Sequence, residues 1–337
     1  MQFKFDANQE FQINAIESIM DLFDGQARNI NNLEFVFGAE FAAMPNRINI
    51  DDESILQNLQ LVQSRNNLMV DTELKYIDDN IRTVNGEKLA RFPNFSVEME
   101  TGTGKTYVYI RTALELFRRY GFRKFIIVVP SIAVREGVLK AFQITEKHLR
   151  GIYENTPYHY YSYDSSNLSQ IRQFALSSNV EFMIMTIDSF NRASNVIRQS
   201  TDRLQGETPI HLVQATRPIL ILDEPQNMES ELRIKALANL DPLFAMRYSA
   251  THRNPYNVVY RLTPFDAYRQ NLVKRIEVAG VEQVDDFNQV FVRYDEFKAI
   301  KSRVSAKLAV HRLMSDGTIK EKSVTVRLMD SLIDKTG

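Results

Sequence analysis

One hexapeptide limits what this chain can fold into more than any other feature. It is Thr101-Gly102-Thr103-Gly104-Lys105-Thr106, set between a strand-like run, Phe95 to Met99, and a helical stretch that runs from Val108 to Tyr120. Strand, glycine loop and helix in that order let backbone N–H groups gather round a polyphosphate. Side chains would block that approach, hence Gly102 and Gly104. The helix N-terminus adds partial positive charge, Lys105 has the reach for β- and γ-phosphates, and the Thr106 hydroxyl is placed to ligate magnesium. The consensus loop opens with a glycine where this chain has Met99, so the first tight turn must be built differently.

The surrounding sequence alternates short apolar runs with helical stretches. After Val108 to Tyr120 come a strand-like Phe125 to Val129, a helical Ala133 to Phe142, a helical Leu168 to Leu176, a strand-like Phe182 to Thr186, a strand-like Ile219 to Leu222 and a helical Ser230 to Leu240. That rhythm is the signature of βαβ units and an open parallel sheet. Upstream, residues 9 to 23 carry apolar residues at helical spacing, with Gln12 on the polar face. Residues 24 to 91 are rich in Asn, Asp and Gln and read as an insertion with partial helix around Ile55 to Val70. Past Thr251 the texture changes, and residues 279 to 328 read as short β runs, including Leu308 to Leu313 and Val324 to Leu328 about a turn at Asp316-Gly317. The expected organisation is one α/β lobe over 1–255, with the 24–91 insertion, and the start of a β-containing accessory module over 256–337.

A phosphate-cradling loop calls for an acidic partner at the end of a neighbouring buried strand, because magnesium needs a carboxylate on its far side. The apolar run Ile219 to Leu222 suits a strand covered on both faces, and Asp223-Glu224 follows it directly. Such a strand delivers Asp223 to the carboxyl edge of the sheet, where ligands bind in open α/β folds. Asp223 is therefore the metal candidate, and Glu224 is the group to orient or deprotonate an attacking water.

Composition narrows the alternatives. Lys plus Arg number 41 against 42 Asp plus Glu, a net charge of −1, which excludes nucleic-acid binding through bulk positive charge. With no cysteine, thiolate catalysis, disulfides and Cys-type zinc sites are excluded. The five histidines are scattered and read as ordinary structural residues. No run approaches about 18 apolar residues, so a spanning helix is not expected and the expected location is cytoplasmic.

Three segments in order, Thr101 to Thr106, Asp223-Glu224-Pro225-Gln226 and Ser249-Ala250-Thr251, resemble motifs I, II and III of superfamily 2 helicases and translocases. Glu98 to Thr106 together with Asp223 to Gln226 is similar in particular to the Res subunit of type III restriction-modification enzymes, ATP-dependent endonucleases that work with a Mod methyltransferase subunit. The resemblance covers about residues 1 to 275. It implies a RecA-like P-loop NTPase lobe, an α/β parallel sheet with helices on both faces followed by a smaller β-containing module. It also implies ATP and Mg2+ as cofactors, and double-stranded DNA and Mod as partners.

Weaker segments take meaning from that match. Gln12 is similar to the glutamine that reads an adenine edge through an amide's paired donor and acceptor. Thr101, Gly102, Thr103, Gly104, Lys105 and Thr106 would hold the nucleotide. Pro130 and Ser131, after Val129, resemble motif Ia, and Thr186 and Ser189 resemble motif Ib, loops that touch the nucleic-acid backbone in the family. Ser249 and Thr251, with Gln226 as relay, would couple the γ-phosphate state to the nucleic-acid side. The aromatic string Tyr158 to Tyr163 is good β-strand material before it is a base-stacking surface. Glu296 and Lys298 have a metal-nuclease spacing without the preceding acidic pair. Arg118, Arg119, Arg123 and Lys124 read as a solvated helix end.

Motifs IV to VI of a second RecA-like lobe, and a nuclease domain, are not found in this sequence. The expectation is a truncated piece of a longer motor that binds nucleotide but turns over weakly by itself, since a missing arginine finger costs about a thousandfold. Two rivals stand beside this reading: another superfamily 2 DNA or RNA helicase, and a degenerate nucleotide-binding module that scaffolds a partner.

Overall fold

The computed structural model describes residues 5–29, 33–36, 41–154, 156–167, 169–191, 195–198, 208–273, 292–300, 303–327 and 330. It divides into two units, Met1–Arg275 and Ile276–Gly337.

The first unit begins with α1 (Glu10–Met20), a short ribbon of β1 (Glu34–Phe35) and β2 (Ala42–Ala43), and α2 (Asp52–Arg65). A hairpin of β3 (Tyr76–Thr83) and β4 (Gly86–Met99) leads into the glycine loop and α3 (Lys105–Tyr120). Next come β5 (Lys124–Val129), α4 (Ile132–Ile152), β6 (Tyr158–Ser162), α5 (Ser169–Leu176) and β7 (Val180–Thr186). The unit closes with α6 (Pro209–Ala215), β8 (Ile219–Asp223), α7 (Glu231–Ala238), β9 (Phe244–Ser249), β10 (Val258–Leu262) and α8 (Pro264–Arg269). The strands lie in the order β10-β4-β9-β8-β5-β7-β6, parallel throughout, and β3 adds antiparallel to β4. The α/β alternation of the sequence is thus a mostly parallel sheet.

The uninterrupted apolar runs occupy its centre for a physical reason. In β5 and β8 the side chains alternate between faces, so Phe125, Ile127, Ile219 and Ile221 join the cluster beneath α1, α3 and α4. Ile126, Val128, Leu220 and Leu222 join the cluster beneath α5, α6 and α7. Each of these residues is 0% exposed. Only a strand covered on both sides needs apolar residues at every position.

The Asn- and Gln-rich stretch from 24 to 91 supplies amides that close backbone ends. Gln63 Nε2 donates to Val258 O (3.0 Å) and Asn66 Nδ2 to Val259 O (2.6 Å), so α2 lies along the outer edge of β10. Asn46 Nδ2 donates to Lys124 O (2.9 Å) and Arg217 O (3.2 Å), while its Oδ1 accepts from Arg123 N (2.8 Å) and Lys124 N (3.3 Å). One buried side chain therefore ties the start of β5 to the turn before β8. Asn46→Ala strands several of these groups and is expected to cost about 2 kcal/mol, read as a lower urea midpoint at unchanged slope.

The strand expected over Phe95 to Met99 is the last part of a longer one, since β4 starts at Gly86. Its first half pairs with β3, and its second half, from Asn94, enters the parallel sheet. Beyond residue 255 the chain stays in this unit: β10 pairs with β4, and a capping box between Thr263 and Asp266 starts α8.

The second unit is an antiparallel meander of β11 (Val292–Ile300), β12 (Arg303–Leu313) and β13 (Ile319–Arg327). The turn expected at Asp316-Gly317 lies between β12 and β13, with Gly317 at φ +79°. Residues 279–291, 301, 302 and Leu328 of the expected β runs lie outside the described residues.

Candidate functional site

Because the strands are parallel, the loops after β4, β9, β8, β5 and β7 leave one edge of the sheet, and the sequence-predicted residues are gathered there. The glycine loop follows β4. Its first turn, which lacks the usual opening glycine, is closed by Glu100: Thr103 N (3.3 Å) and Thr103 Oγ1 (2.6 Å) donate to Glu100 O, and Thr101 N donates to Glu100 Oε1 (2.8 Å). Thr101 and Gly102 sit exposed at the loop's tip. Gly104 is the N-cap of α3 at φ +90°, a conformation that calls for glycine, and a Cβ there would fall 2.9 Å from Gln12 Nε2 and push that amide aside.

Gln12 reaches the loop from α1. Its Nε2 donates to Thr103 O (3.1 Å), and its buried Oε1 has no hydrogen-bond partner among the described residues. An unsatisfied buried carbonyl is costly and marks a place where a donor is awaited.

The acidic pair arrives on β8. Asp223 is 6% exposed, and burial, reinforced by the neighbouring Glu224 charge, pushes its carboxyl up to about 6 against the pull of Lys105 and Tyr109. Glu224 adopts φ 55°, an unfavourable value for a side chain of that size, and its N–H donates to Tyr248 O on β9 (2.9 Å). That twist turns its carboxylate back toward the glycine loop, where Glu224 Oε1 lies 3.1 Å from Lys105 Nζ. Burial raises the Glu224 carboxyl, but hydrogen bonds from Gln226, Lys105 and Ser249 outweigh it and leave the group below its ordinary value.

Gln226 and Ser249 complete the constellation. Gln226 Nε2 donates to Glu224 Oε2 (2.7 Å). Ser249 Oγ, at the end of β9, has three acceptors within reach: Glu224 Oε2 (2.9 Å), Gln226 Oε1 (3.0 Å) and Thr251 O (2.9 Å). A hydroxyl owns one proton, so it serves one of them at a time. Thr251 enters through its backbone, its N–H donating to Ser249 Oγ (3.2 Å).

Pro130, Ser131, Thr186 and Ser189 lie on the same edge, beyond β5 and β7. Ser131 is exposed and caps α4 by accepting from Val134 N (3.3 Å), and Ser189 Oγ donates to Thr186 O (2.6 Å). Tyr160 of the aromatic string stacks on Phe142 at 4.5 Å, and Tyr158 meets Phe182 edge-on at 6.3 Å, so these rings are used in packing. Glu296 lies on β11, in the second unit, and the described residues contain no cluster of three or more His, Cys, Asp or Glu arranged to hold a metal.

Sequence reading missed two groups beside the site. Glu98, on β4 just before the loop, pairs with Arg261 of β10 and lies 3.5 Å from Nδ1 of the buried His252. Tyr109 of α3 donates to Asp223 Oδ2 (3.4 Å). Its signal was available: Tyr109 stands three positions after Thr106, so the two share a helical face.

A mostly parallel sheet that carries a glycine–lysine–threonine loop after one strand and an acidic pair after another, with Lys105 against Glu224, is the frame of a helicase-like domain. The family described as "Type III restriction enzyme, res subunit" matches residues 9–254, and the chain belongs to that family. It is 25% identical over 294 residues to the type III restriction-modification enzyme EcoP15I Res subunit of Escherichia coli, a match covering 81% of this chain and 29% of that protein. It is also 25% identical over 305 residues to the EcoPI Res subunit of Escherichia phage P1, again covering 81% of this chain and 29% of the relative. The chain thus spans less than a third of the length of these relatives. Among solved structures, a nuclease-deletion mutant of the Type ISP restriction-modification enzyme LlaGI in complex with a DNA substrate mimic shares 13% identity at a TM-score of 0.36, covering 52% of this chain and 18% of that one. No helix among the described residues is long and apolar enough to cross a membrane.

Proposed function

We propose that this chain is the ATP-binding and ATP-hydrolysing lobe of a cytoplasmic DNA translocase, the motor part of a type III restriction endonuclease that works on double-stranded DNA with a Mod methyltransferase subunit. The observation that carries the reading is the 3.1 Å contact between Lys105 and Glu224, which brings two segments more than a hundred positions apart to one edge of one sheet.

Lys105 has two competing partners, Glu224 and an incoming triphosphate. A triphosphate offers more negative charge, so binding draws the ammonium onto the phosphates and frees Glu224. Losing that partner raises the basicity of the carboxylate, which suits it to accept the proton of the water that attacks the γ-phosphorus. ADP and inorganic phosphate are the products. Asp223 and Thr106 fit a magnesium ion, because the Asp223 carboxyl is buried with too little positive charge around it to hold its pKa at the ordinary value. When bound, magnesium supplies neutralisation of charge on the β- and γ-phosphate oxygens. The unpartnered Gln12 Oε1 suits the exocyclic amine of adenine.

Ser249, Gln226 and Thr251 report the γ-phosphate state to the neighbouring loops, and Pro130, Ser131, Thr186 and Ser189 contact the DNA backbone. Hydroxyl and N–H contacts to phosphate position a duplex without reading bases, so sequence recognition falls to the Mod partner. Lys105→Ala tests the reading. It removes a charge-assisted contact and is expected to weaken ATP binding about ten- to hundredfold in a fluorescent-nucleotide titration. Equal affinity in the variant and the parent chain would sink it.

A further inference from the structure

Thr106 and Asp223 come from different elements, yet a cation held by both requires their oxygen lone pairs to point at one spot. Tyr109, on the element that carries Thr106, reaches Asp223. It is 0% exposed, on the sheet-facing side of α3, and its hydroxyl donates to Asp223 Oδ2 at 3.4 Å. Thr106 stands one helical turn before Tyr109 on the same face of α3. The phenol spends its one proton on Asp223. That bond engages one oxygen of Asp223 and leaves the other to a cation. The ring is held from behind: Tyr248 packs edge-on at 5.5 Å, and its own hydroxyl donates to Thr112 Oγ1 (3.2 Å), which donates to Val108 O (2.9 Å).

We infer that Tyr109 is a positioning residue for the magnesium–nucleotide site, aiming the Asp223 carboxylate at a divalent cation shared with the Thr106 hydroxyl. This rests on the proposed roles of Thr106 and Asp223. Partners behind a metal ligand fix its orientation, and removing one costs about ten- to hundredfold in metal affinity. Nucleotide bound without metal does not depend on that orientation.

The test is Tyr109→Phe in the full chain, which keeps the buried ring and deletes only the hydroxyl. Binding of a fluorescent ADP is titrated at fixed nucleotide over a range of magnesium concentrations, and again in EDTA, and thermal melts check the fold. The expected result is a half-saturating magnesium concentration raised about tenfold or more, with EDTA affinity changed less than twofold. Tyr248→Phe deletes a second buried hydroxyl of the same ladder that faces Thr112, and should leave the magnesium dependence at the parent value. An unchanged magnesium requirement in Tyr109→Phe overturns the inference, as does an equal shift in Tyr248→Phe, which would assign the effect to packing. Asp223→Asn separates the two levels. If it moves the magnesium requirement and Tyr109→Phe does not, the positioning role alone fails. If Asp223→Asn changes nothing, the magnesium reading of the site fails and the inference goes with it.

Discussion

Glu224→Gln is expected to slow ATP hydrolysis about a thousandfold while leaving nucleotide binding intact or tighter. The amide keeps the shape of the side chain and cannot take a proton from water. It also carries no charge to pair with Lys105, which the parent chain holds at 3.1 Å, so the ammonium meets the triphosphate against a weaker competitor. Rate and affinity therefore move apart, an outcome that simple damage to the pocket does not produce, because damage weakens both. Enzyme-excess single-turnover hydrolysis of labelled ATP measures the rate even when turnover is slow, and a fluorescent-nucleotide titration measures the affinity. Hydrolysis within about threefold of the parent chain would remove Glu224 from the role of base.

Lys124→Met is expected to stabilise the protein at neutral pH by about 3 kcal/mol, an effect that fades as the solution becomes alkaline. Lys124 opens β5 with a side chain that is 0% exposed, its Nζ donating to Ser177 O at 2.5 Å and lying 5.6 Å from the ring centre of Phe174. Burial lowers its pKa from 10.5 to about 7, with Glu181 opposing that drop and Arg123 adding to it. In the unfolded chain the amine keeps its ordinary value. Between these two values the unfolded state holds a proton that the folded state gives up, so stability falls as pH is lowered from about 10.5 toward 7 and the full cost is felt below that. Methionine fills the same volume without the charge, although the bond to Ser177 and the field at the buried Glu181 are lost, which is why the gain is set below the full linkage value. Urea denaturation at pH 7 and at pH 10 gives the two differences. A gap between variant and parent that is the same at both values would contradict the argument.

How far the sequence foretold the molecule depended on whether a residue's role is local. The strand Ile219 to Leu222 was legible because a run without polar residues has nowhere to go but the centre of a sheet, and Asp223 was legible because it ends that run. The glycine loop was legible because glycine alone readily adopts the positive φ found at position 104. The hairpin of β3 and β4 was read as insertion because its alternation is diluted by Asp78, Asp79, Asn80 and Lys88. Even so, Gly86, at φ +103° after Val84-Asn85, marks the turn. The amides of Asn46, Gln63 and Asn66 were not legible at all, since the backbone ends in the sheet that they close lie 77 to 195 positions away and a polar composition looks the same in a solvated loop. The reversed backbone of Glu224 was hidden too: nothing in the residue itself announces a positive φ, and the contact with Lys105 depends on it.

The way α2 lies along β10 decides what this sheet can recruit. With Gln63 and Asn66 already satisfying the carbonyls of Val258 and Val259, a stray extended peptide finds the start of that margin taken. Growth of the sheet from that side, whether by a neighbouring molecule or by a misfolded portion of the same chain, would first require a whole helix to peel away.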